Sequence, residues 1–292
     1  MSSGEDLIKI NKSFRKAILD CNQKAVSALL EKGANIEVLD EEDIELTPLH
    51  YAIEHNCEVV ACLLVLSGAN KESIYTSGDY YEFRPIHSAI RYNQMALFNL
   101  LLGKGIDIEA GDGHDETPLV YAARFNRINM VRKLIEKDAD INGKGGGAYS
   151  PLHVSGNLEV TQLLIDKGAD IDMLDSEGET ALYLACWGGN IDKASLLIKN
   201  GANVNHIDPE GKTPLYAAGL KENKPLVKLL VDSGANVDLA IKEGKTRHPL
   251  LRKRLIDSLN DKTRASLKLS GGTRIKRVFK KLNKTKRVTK KY

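Results

Sequence analysis

The sequence is poor in the features that membrane insertion, metal binding and catalysis require. No apolar run approaches the roughly 18 residues of a membrane span. The start, Met1-Ser2-Ser3-Gly4-Glu5-Asp6, has neither the charged nor the apolar region of a secretory leader. An intracellular, cytoplasmic protein is expected. Four cysteines, Cys21, Cys57, Cys62 and Cys186, fall into neither a disulfide framework nor a C-x-x-C metal pattern, and they read as small buried or half-buried apolar residues. There is no P-loop, no G-x-G-x-x-G after a strand and no H-E-x-x-H. The one Gly-rich stretch, Gly143 with Gly145, Gly146 and Gly147, lacks the Lys-Ser or Lys-Thr ending of a phosphate loop. The expectation is a protein that is not an enzyme and has no cofactor, metal site or small-molecule substrate.

Charge is unevenly placed. The formal net charge is +3, yet residues 262–292 hold thirteen Lys or Arg and no acid, which leaves the preceding 261 residues at minus ten. The body is acidic and the tail strongly basic.

What the sequence has is a phrase that returns. It reads Thr47-Pro48-Leu49-His50, Arg84-Pro85-Ile86-His87, Thr117-Pro118-Leu119-Val120, Ser150-Pro151-Leu152-His153, Thr180-Ala181-Leu182-Tyr183 and Thr213-Pro214-Leu215-Tyr216, at intervals of 37, 33, 33, 30 and 33 residues. A second phrase, as in Leu29-Leu30-Glu31-Lys32-Gly33-Ala34-Asn35, recurs around Gly68, Gly105, Asp138, Gly168, Gly201 and Gly234. Ser or Thr before Pro is a helix start, because the hydroxyl accepts from a free N–H of the first turn and Pro lacks only an N–H that would go unbonded. A Leu-Leu pair followed by Gly is a helix stop in which the chain turns through a left-handed conformation. Each unit is therefore helix, turn, helix, Gly stop, then an extended loop of about ten residues.

The period and the T-P-L-H phrase resemble the ankyrin repeat family. The resemblance implies an all-α solenoid of helix-turn-helix units with extended β-turn finger loops, over about residues 12–260. The expected layout is a disordered segment at 1–11, a degenerate N-terminal capping repeat at 12–46, repeats starting near 47, 84, 117, 150, 180 and 213, a degenerate C-terminal cap at 246–260, and a basic, disordered tail at 261–292. It also implies that His50, His87 and His153 are structural, hydrogen-bonded within the helix and loop framework.

Two irregularities interrupt the array. The first two fingers are longer than the rest, and the unit from Ser150 lacks three residues in its first helix. Beside the glycines this leaves two readings of 143–157: a flexible joint that divides the array, or a rigid shortened turn.

In the family, positions seven and eight after the repeat Thr point along the concave face. Here they are Glu54 and His55, Arg91 and Tyr92, Arg124 and Phe125, Trp187 and Gly188, Leu220 and Lys221. Arg and aromatic residues dominate interface hot spots, so His55, Arg91, Tyr92, Arg124, Phe125, Trp187 and Leu220 are candidate partner-binding residues. The lengthened second finger adds Tyr80, Tyr81 and Phe83, with the alternative that its aromatics fold onto one another. The resemblance implies a protein-protein interaction scaffold or adaptor. The rival is a nucleic-acid or anionic membrane-surface binder acting through the tail, where Lys276, Arg277, Lys280, Lys281, Lys284, Lys286 and Arg287 cluster around Ile275, Val278, Phe279 and Leu282. The same cluster suits nuclear import.

Overall fold

The computed structural model describes residues 4–39, 46–77 and 81–242. The acidic stretch of the first finger, Tyr80, the C-terminal cap at 246–260 and the basic tail, with Lys276, Arg277, Lys280, Lys281, Lys284, Lys286 and Arg287, lie outside the described residues.

The chain folds into paired helices: α1 (Gly4–Leu19) with α2 (Gln23–Glu31), α3 (Pro48–Glu54) with α4 (Glu58–Leu66), α5 (Pro85–Arg91) with α6 (Met95–Gly103), α7 (Pro118–Arg124) with α8 (Ile128–Glu136) and α9 (Pro151–Val154) with α10 (Leu158–Asp166). Then come α11 (Ala181–Trp187), α12 (Ile191–Lys199), α13 (Pro214–Leu220), α14 (Lys224–Asp232) and α15 (Val237–Lys242). Contacts divide these into two compact units. One runs up to Ala181 and includes Lys199–Ala202; the other comprises Leu182–Ile198 and the residues from Asn203 on. The boundary falls at Ala181, beyond the 143–157 segment.

The repeated phrase sets the helix starts by capping. The Thr47 hydroxyl accepts the His50 N–H at 3.4 Å, and Thr213 accepts that of Tyr216 at 3.1 Å. Removing such a cap costs about 1 kcal/mol. Arg84 has no hydroxyl to offer, and its guanidinium is used otherwise, donating to the Gly111 carbonyl at 3.0 Å and the Glu72 carbonyl at 3.3 Å. The second phrase ends helices with a left-handed residue: Gly68 has φ +101°. Asp138 takes the same role at φ +64°, where a side chain is costly and Asp among the least so.

In the first unit, α1 packs on α3, α3 on α5, α5 on α7 and α7 on α9, while α2 packs on α4 and α4 on α6. Each such contact buries the apolar positions of the phrase; Leu49, Ile53, Val60, Leu97, Leu119 and Met130 are at most 1% exposed. Side chains also tie each finger to the next. Glu37 Oε1 accepts the Asn70 N–H at 2.7 Å, Glu72 Oε1 that of Asp107 at 3.1 Å, Glu109 Oε1 that of Asp140 at 2.9 Å, and Asn142 Oδ1 that of Asp170 at 2.9 Å. In the second unit Asn205 Oδ1 does the same for Asn236 at 2.7 Å.

Four features differ from expectation or add to it. The first is at the start, where residues 4–11 are helical as part of α1 instead of disordered. Leu7, Ile10, Phe14, Ala17 and Ile18 recur at helical spacing, and the Asn11 carboxamide accepts the Asn35 N–H at 3.0 Å. The second is the long finger, which pairs as an antiparallel hairpin of β1 (Tyr75–Ser77) and β2 (Tyr81–Phe83), with Tyr75 opposite Phe83. The third is at the shortened repeat. Its first helix has only four residues, and Gly145 and Gly146 press against the preceding finger: a Cβ at Gly146 would stand 2.0 Å from the His114 carbonyl oxygen. These glycines leave no room for a side chain against the preceding finger.

The fourth concerns cysteine. Cys21 and Cys57 are joined in a disulfide with their Cα atoms 5.2 Å apart. They are not independent apolar residues. Cys62 and Cys186 are free, and burial pushes the Cys186 thiol up to about 12.

Candidate protein-interaction face

The residues seven and eight places after each repeat Thr end the first helix of the pair. Glu54, Arg91 and Arg124 are the last residues of α3, α5 and α7, and His55, Tyr92 and Phe125 are the C-caps. Their side chains project where the helix stops, and the hairpin finger lies alongside.

In the first unit this produces a connected aromatic belt. The Tyr75 ring lies 5.7 Å from Phe83, Phe83 lies 6.4 Å from Tyr121, and Tyr121 lies 4.9 Å from Phe125. Offset and edge-on spacings of this kind are attractive. Tyr75 and Phe83 are buried with their rings against one another, and Phe83 lies beneath the candidate residues instead of among the exposed ones. The backbone of Tyr81 pairs with Ser77 in the hairpin.

Charge is arranged over these rings. Glu54 accepts the Tyr75 hydroxyl through Oε1 at 2.7 Å and the Tyr92 hydroxyl through Oε2. Burial first, then the Glu54 carboxylate, pushes the Tyr92 hydroxyl up to about 12 and raises Tyr75 further still. The Arg91 guanidinium carbon sits 5.6 Å from the Phe83 ring centre and 5.7 Å from that of Tyr92. Arg91 is exposed and, among the described residues, makes no ion pair. Arg124 donates through both Nε and Nη2 to the two oxygens of Glu116, which fixes its plane. The His55 ring nitrogen lies 3.0 Å from the Tyr51 carbonyl, with its ring against the Tyr51 ring at 4.3 Å.

The second unit carries its own exposed group. Trp187 is 45% exposed, and Lys221 Nζ lies 4.1 Å above its ring, a cation–π contact. Leu220 is half-buried at the end of α13.

The three histidines stand where structural histidines were expected. His50 Nδ1 lies 2.8 Å from Thr47 Oγ1, His153 Nδ1 2.7 Å from Ser150 Oγ, and the Nε2 of His87 donates to the Glu116 carbonyl at 2.9 Å. In the His87 repeat Arg84 stands where Thr or Ser stands in the other two, and His87 Nδ1 has no hydrogen-bond partner among the described residues. Burial, chiefly, lowers both His50 and His87 from 6.5 to about 4.

A profile of three consecutive ankyrin repeats matches residues 73–145 and 147–241, and a single ankyrin repeat profile matches 45–74. The chain belongs to the ankyrin repeat family. Ankyrin repeats are protein-protein interaction modules, and a protein partner is what membership indicates here. No curated protein matches the chain. Among the described residues no group of His, Cys, Asp and Glu could hold a metal ion, and no helix is long and apolar enough to cross a membrane.

Within this ankyrin array, Tyr121 and Glu116 touch the candidate residues Phe125 and Arg124, and neither was singled out from the sequence. Tyr121 lies four residues after the repeat Thr, at a position that is Tyr51 and Ser88 in the two preceding repeats, and its ring reaches both Phe125 and Phe83. Glu116 was concealed by lying in the finger, eight residues from the arginine it holds. A carboxylate immediately before a repeat Thr, with Arg seven places after that Thr, is the signal that would have found it.

Proposed function

We propose that this ankyrin repeat protein is a scaffold or adaptor whose protein partner seats on the first unit, over Arg91, Tyr92, Arg124 and Phe125. The observation that carries the reading is pre-organisation. Tyr92 and Arg124 are held by carboxylates, and Arg91 and Phe125 rest on rings, so little side-chain freedom is lost when a partner arrives. Arg and Tyr are also the residue types that dominate binding energy. Trp187 with Lys221 is a second contact point in the other unit, to be tested by itself. The Phe83 ring supports Arg91 from beneath.

The rival reading assigns binding to residues 262–292, through nucleic acid or an anionic membrane, and rests on their thirteen cations. One capture experiment separates the two. The full chain, a truncation ending at Asp261, and that truncation carrying Arg91→Ala with Tyr92→Ala are used as baits against the same lysate, with circular dichroism confirming the fold of each. Proteins kept by the truncation and lost with the double change, by about tenfold or more for a hot-spot pair, support the proposal. Retention unaffected by the double change refutes it. Binding lost on truncation, or of salt-sensitive nucleic acid alone, favours the tail.

A further inference from the structure

The disulfide occupies a place that the other joints of the first unit fill with a polar bracket. Cys57, Gln94 and Arg127 are the N-caps of α4, α6 and α8. Gln94 Nε2 donates to the Ile53 carbonyl at 2.8 Å, and Arg127 Nε donates to the Ile90 carbonyl at 3.0 Å. Ile53 and Ile90 are the penultimate residues of the preceding first helices, and so is Ile18. Cys57 Sγ lies 3.2 Å from the Ile18 carbonyl oxygen.

The same positions reach back to the left-handed residue of the repeat before. Gln94 Nε2 lies 3.3 Å from Asn56 Oδ1, and Asn126 Oδ1 accepts the Asn157 N–H at 2.9 Å. Asn56, Asn93 and Asn126 have φ of +57°, +58° and +57°, and in the first repeat the residue with that conformation is Cys21, at +47°. Asn adopts it more readily than other side chains. Cysteine at both ends of this one joint exchanges a hydrogen bond for a covalent bond. It also leaves the joint without a carboxamide to take over if the bond is broken.

We infer that Cys21 and Cys57 form a thiol–disulfide exchange site through which a low-molecular-weight thiol releases, and its disulfide relocks, the N-terminal repeat. Cys21 is exposed and Cys57 is 3% exposed, so attack falls on Cys21 Sγ. An external thiolate bonds to Cys21 Sγ and expels Cys57 as a thiolate, which takes a proton from water. A second external thiolate then attacks the outer sulfur of the mixed disulfide. It leaves as the external disulfide, and Cys21 is protonated in turn. Two electrons pass from two external thiols to the protein disulfide. The reverse consumes one external disulfide and returns two thiols.

The reduced Cys57 thiol can donate to the Ile18 carbonyl as Gln94 and Arg127 do to theirs, but a thiol is a weak donor. Release leaves α1 and α2 held by their packing on α3 and α4 and by the Glu37–Asn70 link. The tie closes a sequence separation of 36 residues, long enough for its loss to free considerable chain entropy.

The test uses the full chain in glutathione buffers of graded thiol-to-disulfide ratio. Cysteines are counted by iodoacetamide labelling after denaturation, and amide hydrogen exchange is read by peptide. The expected result is two labelled cysteines in the oxidised chain and four in the reduced one. Peptides across Gly4–Glu31 should exchange faster on reduction, on the order of a hundredfold, while those across Pro118–Asp166 stay unchanged. The double variant Cys21→Asn with Cys57→Gln, which reproduces the Asn56–Gln94 pair, should keep slow exchange at every ratio. Four labelled cysteines under the most oxidising buffer would overturn the inference. So would equal exchange of Gly4–Glu31 in both states, or a double variant that still responds to the ratio. If the double variant does not fold, the labelling and exchange of the natural chain decide the matter.

Discussion

Acidification below pH 6.5 should destabilise the first unit, because His50 and His87 are buried in the neutral form. Each is lowered from 6.5 to about 4, burial being the main cause; the Ser73 and Phe83 backbone partly offsets it at His50, and Asp112 and the Glu116 carbonyl partly offset it at His87. The unfolded chain therefore takes up protons first as pH falls, and stability present above pH 6.5 is lost progressively toward pH 4. Linkage gives about 1.6 kcal/mol per histidine between pH 6.5 and pH 5, and ~3 kcal/mol each over the whole descent. Against a typical domain stability of roughly 5–15 kcal/mol, two such groups are a sizeable fraction. Urea unfolding followed by circular dichroism at pH 6.5, 5.75 and 5.0 measures the slope. His87→Gln should remove about half of it, since the two sites lie in different repeats. A urea midpoint that stays level across this range, or a slope that survives both His50→Gln and His87→Gln, would refute the burial argument.

Two further substitutions probe packing. Gly146→Ala should cost about 2–4 kcal/mol in thermal or urea unfolding, because its Cβ would stand 2.0 Å from a backbone oxygen. Gly103→Ala, with nothing within 4 Å of its Cβ, should be neutral or stabilising. Lys193 sits in the repeat position that Val60, Leu97, Met130 and Leu226 fill elsewhere, and burial lowers its ammonium from 10.5 to about 7. Lys193→Met should stabilise the chain at pH 7 by on the order of 2 kcal/mol. That advantage should shrink as pH rises toward 10.5, where the unfolded lysine also loses its proton; no gain at pH 7 would show that the ammonium is well accommodated.

Helix starts and stops were legible in the sequence because they depend on local chemistry repeated many times. Thr47, Thr117 and Thr213 cap as their hydroxyls predict, and even Arg84, with no hydroxyl, is followed by a helix because Pro85 and the apolar spacing remain. Arg91, Tyr92, Arg124 and Phe125 were singled out through the family resemblance, and the structure puts them at helix ends. What spacing does not carry is the contact between elements. The hairpin required the Tyr75–Phe83 pair to find each other across a loop, and the Glu116–Arg124 pair joins a finger to a helix end. The disulfide was illegible for a related reason. Cys21 and Cys57 occupy non-equivalent positions of adjacent repeats, so a search for matching positions passes over them.

The links between fingers have a consequence for how such a chain is assembled over time. In each, one side chain reaches a backbone N–H, so the receiving residue is Asn70, Asp107, Asp140 or Asp170 without any change in the bond. The link itself asks for an accepting side chain on one finger and only a backbone N–H on the next; the Asn or Asp that supplies that N–H uses its own side chain within its finger, accepting the N–H two residues on. A unit can then be duplicated, exchanged or inserted beside a new neighbour without a matching mutation in that neighbour, which leaves the exposed residues at the helix ends free to diverge.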